Sequence, residues 1–196
     1  MSDASKLRIH SIIPNSTANG PGRRLVIWVQ GCTLNCPGCF NANTHPRVIA
    51  DSQLMTVADV LKQIVAAKET HGIEGITISG GEPLQQMRPV IELMRLVKAH
   101  IGLSIVLFTG FADSELVQMP DFVEVTRHAD VIISGRYEAG NRIASELRGS
   151  SNKKLRFITE RYSHKDFQSV PKRELIISRN GQVVATGINP ASLQSA

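Results

Sequence analysis

The chain has 196 residues, 42% of them apolar, which is enough for one domain core and does not read as a disordered composition. Its longest apolar runs are only a few residues, which excludes a membrane-spanning helix, and the polar stretch 1–8 lacks the core of a secretory leader, so a cytoplasmic protein is expected. The net charge of +5 suits an anionic ligand, but Lys and Arg are scattered with no dense basic block, which argues against a nucleic-acid partner.

In chain order, Leu25–Val29 is a short apolar, β-rich run that reads as a buried strand feeding Gly31 and a cysteine loop. Trp28 on this strand is expected in the core, and Arg23 and Arg24 as a solvated strand start, with steering of an anion as the alternative. Thr56–Lys68 carries Val57, Val60, Leu61, Ile64 and Val65 at helical spacing. Thr56 is its expected N-cap, Asp59 takes the acidic capping-box position, and Gly72 lies just past its end. Gly75–Ser79 is a second strand, broken by Gly80-Gly81. Pro89 suits the first turn of a second helix that is apolar over a broad face from Val90 to Val97.

After Gly102, Leu103–Phe108 forms a third strand, Asp113–Val117 starts a short helix, and Asp130–Ser134 is a fourth strand stopped at Gly135. This rhythm predicts a parallel α/β sheet with its strand-to-helix loops along one edge, the edge where such folds bind ligands. Lys154–Thr159, Glu174–Ser178 and Gln182–Ala185 read as strands, with Asn180-Gly181 as a hairpin turn. They predict a small antiparallel addition to or beside the sheet edge.

All three cysteines fall within eight residues, in the run Cys32-Thr-Leu-Asn-Cys36-Pro-Gly-Cys39. An odd, tightly packed set is not a disulfide framework; metal binding or catalysis suits it better. Three thiolates on a loop can hold three corners of an iron–sulfur cubane and leave one iron open. With His45, the same cysteines could form a Cys3His zinc site instead, although Pro46 follows and zinc ligands usually come from two knuckles. Three unligated thiols are the bland reading.

The cysteine loop and the later run Ser79-Gly80-Gly81-Glu82-Pro83 together resemble the radical S-adenosylmethionine superfamily, with Phe40 at the aromatic position after the third cysteine. The resemblance implies one 4Fe-4S cluster on Cys32, Cys36 and Cys39, with its open iron chelated by the amino and carboxylate groups of S-adenosylmethionine. It implies reductive cleavage of that cofactor to methionine and a 5′-deoxyadenosyl radical. Phe40, Gly80, Gly81 and Glu82 are then the expected cofactor contacts. Glu82 could equally bond a nearby amide. Thr109 and Gly110, at the ligand edge of the third strand, are expected to line the same site or simply to stop the strand.

Further segments resemble the anaerobic ribonucleotide reductase activating proteins and related single-cluster activases. These are Asn19-Gly-Pro-Gly-Arg23, Cys36-Pro-Gly-Cys-Phe-Asn41, Phe108-Thr-Gly-Phe111, Asp130–Tyr137 and Arg148-Gly-Ser-Ser-Asn152. The resemblance implies hydrogen abstraction from a glycine of a large partner glycyl radical enzyme, fed by a reducing electron donor such as flavodoxin or ferredoxin. No cysteine is left for a second cluster. The implied fold is α/β, a partial, incomplete β/α barrel of parallel strands. Residues 1–152 form the core, and 153–196 form a C-terminal β extension of the same domain.

Ser134 stands where the family has Asp, so a polar contact there is expected to be absent. Asn41 could buttress the loop, and Arg148 and Asn152 could bind a carboxylate or organise a turn. A stand-alone enzyme acting on a peptide or small molecule is the alternative, and a zinc-stabilised interaction module the remote one.

Overall fold

Apolar runs with no solvated face demand cover on both sides, and this chain places four of them side by side. The computed structural model describes residues 5–47, 50, 53–178 and 180–189. The runs are β2 (Arg24–Val29), β4 (Gly75–Gly80), β5 (Ser104–Phe108) and β6 (Val131–Ser134), which pair in parallel in that order. Antiparallel strands flank them: β1 (Lys6–Ser16) and β3 (Leu54–Thr56) on one side, and β9 (Lys154–Phe157) on the other. The sheet is open, in the order β3-β1-β2-β4-β5-β6-β9. It is the parallel-rich, unclosed α/β barrel that the sequence predicts.

Helix α1 (Val57–His71) begins where expected: Thr56 Oγ1 accepts the Asp59 amide at 3.1 Å, and Gly72 ends the helix at φ 63°. Helix α2 (Met87–Leu96) follows a 3₁₀ turn over Pro83–Gln86, has Pro89 in its first turn and runs on through a wider π turn to Gly102. Both helices bury an apolar stripe (Val60, Ile64, Val90, Leu93, Met94) against the parallel strands. Two short helices follow, α3 (Asp113–Leu116) and α4 (Phe122–His128). No helix among the described residues is long and apolar enough to cross a membrane.

The antiparallel tail forms as expected, in two places. Strand β9 joins the main sheet beside β6, then a short helix α5 (His164–Gln168) leads to a separate hairpin of β10 (Glu174–Ile177) and β11 (Val183–Thr186). A further hairpin, β7 (Arg142–Ser145) with β8 (Arg148–Ser150), precedes β9.

Arg24 corrects the sequence reading. Arg23 is exposed, but Arg24 is fully buried and ties several chain segments together. Its guanidinium donates to Thr77 Oγ1 at 2.8 Å, Ser104 Oγ at 3.0 Å, the Pro21 carbonyl at 3.1 Å and the Tyr162 hydroxyl at 3.2 Å. Burial opposes its charge and lowers its pKa, whereas Tyr162 and Asp130 favour the charge. Gly20 and Gly75 give it room, since a Cβ on either would run into its side chain.

Asp130 is a second buried tie at the same end of the sheet. It accepts from Lys98, from the Ile105 amide at 2.7 Å and from Thr159 Oγ1 at 2.9 Å. Burial alone would push its carboxyl up, but Lys98, the Ile105 amide and Thr159 together hold it below the ordinary carboxylate value.

Two predictions follow from these ties. Arg24→Met removes the guanidinium that donates to Thr77 Oγ1, Ser104 Oγ and the Pro21 and Ile76 carbonyls, and should cost about 2–4 kcal/mol in urea unfolding. Because the folded-state pKa of Asp130 is depressed, the stability it contributes is present above the unfolded carboxylate pKa of about 3.9 and is lost as pH falls below it. Asp130→Asn should therefore flatten the acid limb of the stability–pH curve.

Candidate cluster and cofactor site

Strand β2 delivers Val29 and Gln30 to the ligand edge of the sheet, and the chain then turns back on itself. Gly31 takes φ 103°, Asn35 φ 47° and Gly38 φ 70°, left-handed conformations that glycine and asparagine tolerate. The loop closes on its own far end: the Gly31 amide donates to the Thr44 carbonyl at 2.8 Å, and the Cys32 amide to the His45 carbonyl at 3.1 Å. Asn41 holds this return, its carbonyl accepting from both the Thr44 amide and Thr44 Oγ1.

The Gly80-Gly81 strand end is stitched to this loop by backbone alone. The Gly81 amide donates to the Val29 carbonyl at 2.8 Å, and the Glu82 amide to the Gly31 carbonyl at 2.9 Å. No side chain fits between them: a Cβ on Gly81 would lie 2.5 Å from the Gly31 carbonyl oxygen, and one on Gly80 2.5 Å from the Val29 nitrogen.

Beside this seam lies a cavity of about 410 Å³, within the usual range for small-molecule sites. Cys32, Cys36 and Cys39 all line it, as do Phe40, Gly80, Gly81, Glu82, Thr109 and Gly110, so the expected site residues are brought together. The three thiols are half-buried. The Leu34 amide donates to Cys32 Sγ at 3.4 Å. Burial pushes the Cys32 and Cys39 thiols up, while backbone amides of Leu34 and Asn41 pull them down. Three thiols that share one cavity, two of them beside backbone amides, suit anionic sulfur bound to iron, which offsets the burial cost. Among the described residues, no three His, Cys, Asp or Glu side chains are placed to hold a single metal ion.

Glu82 is fully buried with its oxygens turned toward the protein. Oε1 accepts from the Leu84 amide at 2.9 Å and Thr109 Oγ1 at 2.8 Å, and Oε2 accepts from the Gly110 amide at 2.7 Å. It thereby clamps the end of β4 to the end of β5. Burial pushes its carboxyl up, and these three donors, with Lys153, oppose the shift.

Phe40 stacks on Tyr137 with centroids 4.6 Å apart, and the Arg142 guanidinium lies 5.1 Å from its ring. Gly149 leaves space for that ring: a Cβ there would come within 2.7 Å of Phe40 Cε2. Arg148 and Asn152 organise the surrounding turns, Arg148 through Glu146 at 2.8 Å and Asn152 through the Arg136 carbonyl and Glu138, both at 2.9 Å.

Two readings change. Trp28 is only partly buried and lines the cavity instead of filling the core. Ser134 keeps a polar contact after all, donating to Asp113 Oδ1 at 2.8 Å. Lys153, also in the cavity wall, was not singled out by the sequence, because nothing in its polar neighbourhood distinguishes it from Lys154.

Comparison with known proteins settles the family. Residues 18–156 match the family described as a 4Fe-4S single cluster domain. The chain is 34% identical over 147 residues to the anaerobic ribonucleoside-triphosphate reductase-activating protein of Enterobacteria phage T4, covering 74% of this chain and 90% of that protein. This chain belongs to the radical S-adenosylmethionine activase family. The activase is also 31% identical to the pyruvate formate-lyase-activating enzyme of Staphylococcus epidermidis, over 75% of its own length but only 59% of that relative's. The crystal structure of QueE from Escherichia coli aligns at TM-score 0.44 and 18% identity, over 54% of this chain and 53% of that one. Family membership brings one 4Fe-4S cluster and S-adenosylmethionine as cofactors.

The backbone seam yields a prediction for the activase. Gly81→Ala forces the Gly31 carbonyl aside and should speed amide hydrogen exchange at Gly31, Cys32 and Glu82 by at least roughly tenfold, equivalent to about 1.4 kcal/mol of local opening. Exchange at α1 should stay as in the parent.

Proposed function

We propose that this activase generates a 5′-deoxyadenosyl radical and uses it to abstract hydrogen from a backbone glycine of a large partner glycyl radical enzyme. The observation that carries the reading is the meeting of Cys32, Cys36 and Cys39 with the Gly80-Gly81 strand end at one cavity. The three thiols would hold the cluster. When bound, the cluster supplies one electron to cleave the sulfonium of S-adenosylmethionine, leaving methionine and the radical.

The chain's own residues bind, orient and shield. Gly80 and Gly81 let the ligand approach the strand end, with no side chain in the way. Thr109 and Gly110 form the adjoining wall, and Glu82 serves the cofactor site by fixing both strand ends. Phe40, braced by Tyr137, and Trp28 supply the apolar part of the cavity wall.

The partner is of the anaerobic ribonucleoside-triphosphate reductase type. The phage activator named for that reaction is spanned over 90% of its length, against 59% for the pyruvate formate-lyase activator. A low-potential carrier such as flavodoxin or ferredoxin supplies the electron, and the setting is the cytoplasm. The radical core is assigned to 1–152 and its β extension to 153–196, of which 1–4, 48–49, 51–52, 179 and 190–196 lie outside the described residues.

After anaerobic reconstitution and reduction, the protein should convert S-adenosylmethionine to 5′-deoxyadenosine. Cys36→Ala should lower that rate by more than roughly a hundredfold, beyond the usual effect of an outer-sphere change. Incubation with a partner deuterated at glycine should transfer deuterium into 5′-deoxyadenosine. Cleavage without such transfer from any partner would direct the radical to a peptide or small molecule.

A further inference from the structure

Lys153 sets an ammonium group in the wall of the cavity, with its Nζ donating to the Gly135 carbonyl at 2.6 Å. Among the described residues it makes no ion pair. Its cationic neighbours do: Arg136 is held by Glu115 at 2.6 and 2.8 Å, and Lys154 faces Asp113 at 3.3 Å. Burial opposes the Lys153 charge, and the anionic groups that favour it are Cys36, Glu82 and Cys39. Arg136, nearby, opposes it. Glu82 already spends its oxygens on Leu84, Thr109 and Gly110. A partly buried ammonium resting on one carbonyl is favoured when an anion shares its site.

We infer that Lys153 is the counter-cation of the iron–sulfur cluster, a positioning residue that acts through the cluster's charge and raises its reduction potential. The inference rests on the reading of Cys32, Cys36 and Cys39 as cluster ligands. On reduction, the cluster takes one electron from a low-potential one-electron donor and becomes more negative by one charge. The step moves one electron and no proton, with Lys153 acting as its ammonium form. A positive charge in the same cavity wall as the thiolates stabilises the reduced form more than the oxidised one, so removing it disfavours reduction.

The test is a redox titration of the reconstituted full chain, poised with dithionite and mediators and read by electron paramagnetic resonance. Lys153→Met should make reduction about tenfold less favourable, a shift of about 59 mV to more negative potential for one electron. Lys153→Arg should restore most of the shift, and Lys154→Gln should leave the potential at the parent value. If Lys153→Met and Lys153→Gln lose the cluster while Lys153→Arg keeps it, the charge is needed to hold the cluster, which also supports the assignment. An unchanged potential in a fully loaded Lys153→Met protein overturns it. So does a loss of thermal stability alone, which would pair Lys153 with Glu82. A parent protein that binds no four-iron cluster would instead defeat the ligand assignment beneath it.

Discussion

The site depends on a seam of main-chain hydrogen bonds. Parallel pairing of β2 with β4 brings Val29 beside Gly80, and the next two amides along β4 continue past the strand end to the Val29 and Gly31 carbonyls. Backbone-to-backbone contact of this kind needs two residues without Cβ, and Gly80-Gly81 supplies them. The cysteine loop is therefore not an independent knuckle. Its root is an extension of the sheet, and its position relative to the cavity is set by strand register.

Charge is arranged by end. At one end of the parallel strands, Arg24 and Asp130 are buried and engaged with hydroxyls, carbonyls, an amide and Lys98. These groups secure the strand starts, where no thiol lies. At the other end, Glu82 is buried under three donors, and the thiols and Lys153 face the cavity. A buried carboxylate that is fully hydrogen-bonded makes a rigid brace. Had Glu82 been free to turn toward a ligand, the two strand ends it joins would lose their common anchor. The glutamate in the Gly-Gly-Glu-Pro run thus shapes the cavity through geometry.

Much of this was legible in the sequence because the signals were local. The four parallel strands, the Thr56 cap, the Gly72 stop and the Asn180-Gly181 hairpin all follow from residue type and spacing. Strand β1 was not legible. It contains Pro14, its register shifts between Ile13 and Ser16, and its burial alternates poorly, so it lacks a clean strand period. The hairpin of β7 and β8 hides in a polar Gly-Ser stretch because its task is to seat Phe40 against Tyr137 rather than to fill the core. Arg24 was misread for a related reason. A charged residue at a strand start is ordinarily solvated, and only the long-range approach of Thr77, Ser104 and Tyr162 reveals a buried one. Lys153 and Trp28 likewise acquire their places from tertiary closure of the cavity.

The C-terminal hairpin shows how far apart in sequence the walls of that cavity originate. A two-stranded hairpin is marginal on its own, so it needs anchors. Glu174 accepts from Ser16 Oγ at 2.6 Å and from the Thr17 amide at 3.1 Å, and Asn19 donates to Thr186 Oγ1 at 2.9 Å. The segment it grips, between β1 and β2, is the one whose Gly20 and Pro21 pack on Arg24. Strand β11 then runs into the cavity wall through Val184, Ala185 and Thr186, a wall that also includes His10 and Ser11 of β1, while Ile188 packs against an apolar cluster of Val106, Val131, Ile133, Leu147 and Phe167. The buried arginine at the far end of the sheet therefore bears on the cavity: it shapes the loop to which the hairpin is tied, and the hairpin in turn forms part of the cavity wall.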